Sequence, residues 1–215
     1  MDYKAQIEAA KEKFGAVIED QLKRIEKMKA EKDVLDYSKL DQIVIGVVGG
    51  DGIGPAITAQ AQRILEYLLK DEVSSGKVAF KVIDGCTIEH RAEVGKALPD
   101  DVVEELKQCH VILKGPTTTP RQGDPWPNIE SANVAMRKEL DLFANVRPVK
   151  VPAEGIDWTF YRENTEGGYA VGSKGVNVND DLAIDFTVAT QDGCERIIRA
   201  AFEYAKKAGK TKVTC

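Results

Sequence analysis

Ile43-Val-Ile-Gly-Val-Val48-Gly49-Gly-Asp-Gly-Ile-Gly54-Pro55 decides how this chain folds. The first six residues are apolar almost without interruption, which predicts a strand buried on both faces, as in a parallel sheet. The glycine-rich turn then opens a helix. Pro55 suits its first turn, where a missing N–H is not needed, and Ile57, Ala61, Ile64, Leu65 and Leu68 recur at helical spacing. The dinucleotide fingerprint Gly-x-Gly-x-x-Gly fails, because Pro55 takes the third glycine position counted from Gly50 and Gly52. No Gly-Lys-Ser/Thr is present either. What remains is a tight turn that is either purely structural or lets a ligand approach backbone N–H groups.

Downstream, residues 78–83 and Val111-Ile-Leu-Lys114 read as strands, separated by a helix that Pro99-Asp100-Asp101 opens and that runs to about Gln108. This alternation predicts an α/β fold with a parallel or mixed sheet wrapped by helices. Residues 131–140 predict a helix, and 142–151, carrying Pro148, a long strand near a sheet edge. Residues 160–176 and 182–188 are β-rich in pattern. Residues 191–208 are strongly helical, with Gly209 as the stop. Lys212-Val-Thr-Cys215 reads as the start of another strand, so the fold is expected to be incomplete at its C-terminal end.

Upstream, residues 1–40 alternate Lys and Glu, and Ile7, Phe14, Ile18, Leu22, Ile25 and Met28 paint one helical stripe. An appended amphipathic helix lying on the body or on a partner subunit is expected. Mixed charge on its polar face argues against a membrane-surface role.

A net charge of −5 over 215 residues argues against nucleic acid as the main partner. No apolar run has the length of a membrane span, and the charged amino terminus lacks a signal-peptide core, so a cytoplasmic location is expected. Cys86, Cys109, Cys194 and Cys215 have no metal-finger spacing and read as reduced packing residues. His90 and His110 likewise lack ligand spacing and read as structural.

The chemistry concentrates in the middle third. Ser131, Asn133, Arg137, Arg147 and Arg162 set a hydroxyl, an amide and three guanidinium groups close together in an acidic protein. Arginine is permanently charged and grips carboxylates with two prongs. Asn133 and Arg137 share one helix face, and Ser131 would stand at that helix's N-terminus, where carboxylates are favoured. A pocket for a small polycarboxylate is one reading, and a solvated helix face is the other. Lys114-Gly-Pro-Thr-Thr-Thr-Pro120 follows a predicted parallel strand, where ligands of open α/β sheets sit; a Pro-bounded surface loop has the same composition. Tyr161-Arg162-Glu-Asn-Thr-Glu-Gly-Gly-Tyr169 adds two phenols, available for proton donation or for cross-strand packing.

Taken in order, Gly50-Asp-Gly-Ile-Gly-Pro55, Lys114-Gly-Pro-Thr-Thr-Thr-Pro120, Ser131-x-Asn133-x-x-x-Arg137, Asp141-Leu-Phe-Ala-Asn-Val-Arg147-Pro148 and Arg162-Glu-Asn-Thr-Glu166 with Tyr169 resemble the isocitrate/isopropylmalate dehydrogenases. These are metal-dependent β-decarboxylating enzymes. Glu195-Arg-Ile, Phe202-Glu-Tyr-Ala-Lys-Lys and Lys212-Val-Thr extend the match, which covers residues 42–215.

The resemblance implies that isocitrate is oxidised and decarboxylated to 2-oxoglutarate with NAD or NADP and Mg²⁺ or Mn²⁺. It implies that Arg137, Arg147 and Arg162 hold substrate carboxylates, that Ser131 and Asn133 reach the third carboxylate, and that Thr119 faces the substrate. Thr118, Lys114 and Ile53 fall on the cofactor side, and Tyr169 is the catalytic acid. It further implies residues 41–141 as the first part of a large cofactor and substrate domain, 142–215 as the start of a small dimerisation domain, and a homodimer.

Glu130 resembles the isopropylmalate type, so 3-isopropylmalate, homoisocitrate and tartrate are alternative substrates; a non-catalytic regulatory subunit of the same family is a further alternative. Ala56 departs from the acidic residue often found there, and the segment 121–130 with Pro125-Trp-Pro127 is longer than usual. The family's catalytic Lys, metal-binding aspartates and adenosine loop are expected beyond Cys215. This chain thus reads as an amino-terminal half with no metal ligand of its own and no turnover by itself.

Overall fold

The computed structural model describes residues 3–30, 35–172 and 174–215. In chain order the elements are α1 (Tyr3–Ala30), β1 (Ile43–Val48), α2 (Gly54–Leu68), α3 (Lys70–Ser74), β2 (Val78–Ile83), α4 (Ile88–Val94), α5 (Asp100–Lys107), β3 (Val111–Lys114) and α6 (Ala132–Glu139). Then follow β4 (Ala144–Val151), β5 (Ile156–Glu163), α7 (Gly168–Val171), β6 (Val176–Asn179), β7 (Leu182–Ile184) and α8 (Gln191–Lys207). They fall into two compact units. One is Val34–Leu140, and the other joins Met1–Asp33 to Asp141–Cys215.

The first unit is built on a parallel sheet of order β2-β1-β3, with Ile43 opposite Val78 and Ile45 opposite Val111. The apolar run of β1 is central and buried from Ile45 to Val48, as its sequence requires. Gly46 keeps that strand close to its neighbours, since a Cβ there would stand 2.8 Å from the Cys109 sulfur. Val48, Ile83, Cys86, Leu98, Val102, Val103, Leu106, Ala132 and Met136 form the core, so α5 and α6 cover the sheet. Acidic Asp100 and Asp101 open α5 and Lys107 closes it, complementing the helix dipole.

Three features depart from the sequence reading. α3 and α4 were not foreseen; α4 has only a Thr87 cap and a left-handed Gly95 stop to announce it. In α2 the buried positions are Gly54 and Thr58, while Ile57, Ile64 and Leu68 are exposed. The close approach of the backbone at Gly115 selects the small side of that helix, not its aliphatic stripe.

The second unit holds an antiparallel ribbon, β4–β5, running in register from Ala144 opposite Glu163 to Val151 opposite Ile156. α8 covers one face: the Tyr161 and Tyr204 rings lie 5.4 Å apart, and the Thr159 hydroxyl donates to Tyr204 Oη at 3.0 Å. A second ribbon, β6–β7, carries a bulge between Asn177 and Asn179. The expected β character of 160–176 is interrupted by α7, which the left-handed Gly167 introduces. β7 ends at Ile184, so of the rest of 182–188 only Val188 pairs, by an isolated bridge to Gly167. None of the four residues Lys212–Cys215 is in a strand, because a strand exists only by pairing and no described strand borders them.

An N-terminal helix forms over Tyr3–Ala30 but does not extend over the expected 1–40: residues 31–34 lie outside the described structure, and Tyr37–Lys39 is a separate 3-10 turn. Its apolar stripe is only half used. Phe14 stacks on Phe186 at 5.1 Å and Val17 is buried, but Ile7, Ile18 and Leu22 remain exposed. Among the described residues, no helix is long and apolar enough to cross a membrane.

Candidate functional site

In the parallel-sheet unit, the turn after β1 and the loop after β3 meet backbone to backbone. A Cβ on Gly50 would run into the Pro116 carbonyl oxygen, and one on Gly115 into that of Gly49. Gly50 and Gly52 both adopt positive φ. Asp51 N–H donates to Pro116 O at 2.8 Å. The Asp51 carboxylate then accepts Ile88 N–H at 2.7 Å and Thr118 N–H at 2.6 Å.

Beside it stands Arg91, 0% exposed. Its guanidinium donates to the carbonyls of Ala97 (2.8 Å), Thr118 (2.9 Å) and Glu130 (3.2 Å), and lies 3.9 Å from Asp51. Asp51 and Arg91 together tie the glycine turn, the threonine loop and the entry to α6 into one framework. Neither was assigned a role from sequence. Asp51 sits inside the glycine motif, whereas Arg91 carried no signal at all.

That framework holds several candidate residues. Thr118 is half-buried and Thr119 exposed. Lys114 Nζ donates to Gly115 O at 2.6 Å and to Thr117 Oγ1 at 3.2 Å, and burial pushes its pKa below the ordinary lysine value. Ile53 is exposed at the start of α2. Ser131 is the N-cap of α6 and makes no side-chain capping bond, so its hydroxyl is not spent on the helix. Asn133 and Arg137 lie one turn apart on α6, both half-buried beside the fully packed Ala132 and Met136.

The remaining candidates belong to the other unit. Asn145 pairs with Arg162 and Arg147 with Phe160, so Asn145, Arg147 and Arg162 share one face of the β4–β5 ribbon, opposite the face α8 covers. Arg147 Nε donates to Asn145 Oδ1 at 2.9 Å. Arg162 Nη2 donates to Tyr169 Oη at 3.0 Å, with its guanidinium carbon 5.5 Å from the ring centre. Tyr169 therefore accepts from the cation and keeps its own O–H proton for another acceptor. The five residues singled out for carboxylate binding thus divide: Ser131, Asn133 and Arg137 lie in one unit, Arg147 and Arg162 in the other.

The loop between Arg162 and Tyr169 is closely held. The Glu163 carboxylate accepts from Thr165 N–H (2.9 Å), Thr165 Oγ1 (2.6 Å) and Glu166 N–H (2.6 Å). Asn164 N–H donates to Phe143 O at 2.8 Å. Arg196 forks onto Asp141 at 2.6 and 2.9 Å and reaches Thr165 Oγ1 at 2.9 Å. Glu166 is 5% exposed and accepts from Thr190 N–H (3.0 Å), Thr190 Oγ1 (2.5 Å) and Arg24 Nη2 (2.6 Å). Burial pushes the Glu166 carboxyl up, yet the bonds from Thr190 and Arg24 outweigh it and hold the pKa below the usual glutamate value.

All four cysteines are free; burial raises the pKa of Cys86 and Cys109, which suits packing residues, but Cys194 and Cys215 are exposed and do not pack as expected. His110 Nδ1 accepts from Val44 N–H at 2.9 Å, a structural role. Among the described residues, no three His, Cys, Asp or Glu side chains gather as a metal ion would need, so no metal step is assigned to them.

The chain is similar to proteins of known family. The model of the isocitrate/isopropylmalate dehydrogenase family matches residues 44–215. Homoisocitrate dehydrogenase of Methanocaldococcus jannaschii is 36% identical over 185 residues, covering 79% of this chain and 50% of that protein. An NADP isocitrate dehydrogenase of Staphylococcus epidermidis is 30% identical, covering 88% of this chain and 50% of its own length. The crystal structure of isocitrate dehydrogenase from Methylococcus capsulatus superposes with a TM-score of 0.60 at 31% identity, over 79% of this chain and 49% of that one. The chain spans about half the length of the curated relatives it matches. With the family model extending over most of its residues, the chain belongs to the isocitrate/isopropylmalate dehydrogenase family.

Proposed function

We propose that this chain supplies substrate-binding and proton-donating groups for the NAD(P)-dependent oxidative decarboxylation of isocitrate. The observation that carries the reading is the Arg162–Tyr169 hydrogen bond at 3.0 Å, with Arg147 on the same ribbon face. A guanidinium on a phenol, with a second guanidinium on the same ribbon face, suits a dicarboxylate whose enol carbon must be protonated once carbon dioxide has left. Arg147 and Arg162 bind carboxylate, and Tyr169 gives its proton to that carbon. In the other unit, Arg137 pairs with carboxylate, Ser131 and Asn133 add hydrogen bonds, and Thr119 faces the substrate. Thr118, Lys114 and Ile53 serve the cofactor. When bound, a nicotinamide accepts the hydride, and Mg²⁺ or Mn²⁺ belongs to the reaction as the family runs it.

The parallel-sheet unit is read as the start of a cofactor and substrate domain, and 142–215 as the start of a dimerisation domain in a cytoplasmic homodimer. A second reading, homoisocitrate as substrate, is favoured by the 36% identical relative of that name.

Calorimetry on the chain with isocitrate, homoisocitrate and 3-isopropylmalate separates these. Isocitrate is expected to bind most tightly. Arg162→Met should weaken it roughly thirtyfold, as losing about 2 kcal/mol of charged hydrogen bonding requires, and Asn133→Leu should hurt isocitrate more than 3-isopropylmalate. Preference for homoisocitrate selects the second reading. Equal binding by wild type and Arg162→Met sinks both.

A further inference from the structure

We infer that α1 is the strap that holds the Tyr169 segment in place, with Arg24 as its positioning residue; this rests on the reading of Arg162 and Tyr169 as substrate-facing groups. The helix lies outside residues 44–215, the span of the family match, yet it clusters with the segment that carries both groups.

Its attachments flank Tyr169. Arg24 Nη2 meets Glu166 Oε1 at 2.6 Å, three residues before it, and Asp20 meets Lys174 Nζ at 2.5 Å, five residues after it. Phe14 stacks on Phe186 further along. The two ion pairs differ in kind. Asp20–Lys174 is exposed and screened, whereas Arg24–Glu166 has side chains only 23% and 5% exposed.

Arg24 is itself braced. Its Nε donates to Gln21 Oε1 at 3.2 Å and Nη1 to Met28 Sδ at 3.4 Å, so its third nitrogen points at Glu166 from a fixed guanidinium. Glu166 passes the constraint on, because the same carboxylate accepts from both backbone and hydroxyl of Thr190, the N-cap of α8. From Arg162 to Tyr169 the chain thus runs between two anchors. Glu163 closes the turn locally, and Glu166 joins it to α1 and α8. Without the bond from Arg24, the side chain at 166 is held by Thr190 alone, charged or not, and the backbone that leads into α7 is released from α1. The 3.0 Å bond between Arg162 and Tyr169 is then the contact that opens.

The test uses the full 215-residue chain labelled with ¹³Cζ-tyrosine, with Tyr169 assigned by substitution. Arg24→Met should move or broaden the Tyr169 signal while leaving Tyr67, in the other unit, unchanged; Arg24→Lys should restore it in large part. Because Arg24→Met leaves a buried charge, the double variant Arg24→Met/Glu166→Gln, which removes both charges, keeps the question answerable if the single variant unfolds. Isocitrate binding, read in parallel, should weaken about tenfold in the variants that move the signal.

A Tyr169 signal identical to wild type in the folded double variant overturns the inference, even if stability falls, because Arg24 would then be structural only. If the signal moves but wild type binds no hydroxy acid, the strap stands and the functional reading fails.

Discussion

Carboxylates and guanidinium groups far apart in sequence meet as close pairs in this fold, Arg24 with Glu166 and Arg196 with Asp141. Glu166 is the clearest case. Its folded pKa is lowered, so the stability it contributes is present above the ordinary glutamate value of about 4.3 and is lost as pH falls through the lower, folded value. Glu166→Gln is therefore expected to be less stable than wild type at neutral pH, and the gap should close as the solution is acidified below about pH 4. Urea denaturation at stepped pH reads this directly; a gap that stays constant into acid shows that ionised Glu166 contributes nothing. Residues of this sort were only partly legible. Arg137, Arg147 and Arg162 could be singled out because charge beside small polar groups in a short span is a local signal. Arg91 could not, since its three carbonyl acceptors come from Ala97, Thr118 and Glu130, and nothing near Arg91 foretells that convergence. Arg24 was hidden for the same reason, its partner lying in another part of the chain.

Among the elements, those with a strong pattern were legible and those made by tertiary contact were not. β1 and β2 follow from nearly continuous apolar runs, α5 from its Pro99-Asp-Asp opening, and α8 from helical patterning up to a glycine stop. α7 has only four residues and forms where the Arg162–Tyr169 loop is pinned, which no local propensity encodes. The start of α8 shows how tightly such elements interlock. A Cβ on Gly193 would run into the Glu166 carboxylate, so the helix's first turn accepts that carboxylate only because the side chain is absent. The carboxylate cannot step aside, being held by Thr190 and Arg24. Gly193→Ala, normally favourable inside a helix, should here destabilise by about 1–3 kcal/mol through overpacking. A lowered urea midpoint with unchanged slope is the expected result, and an unchanged or raised midpoint would show that the carboxylate has room to move.

For the whole molecule, the two units are unequal in what holds them. The nine-residue buried cluster lies entirely within Val34–Leu140, where a parallel sheet is covered by α5 and α6. The other unit relies on two separate two-stranded ribbons, and a two-stranded hairpin is marginal unless something packs on it. α8 serves β4–β5, and α1 serves β6–β7 with a half-used apolar stripe around a groove of about 390 Å³ lined by Ile7, Phe14, Val176 and Leu182. Openings of different size should follow, since local stability tracks buried apolar contact. Native-state amide exchange at increasing low urea is the measurement. The amides of Val47 and Val48 in β1 should exchange only through the largest opening, while those of Phe160 and Arg162, which face β4 in the ladder, should exchange through a smaller one that Arg24→Met makes smaller still. Were all four amides to merge onto a single opening energy in wild type, the units would be one cooperative block, and a lesion at Arg24 would be felt equally in β1.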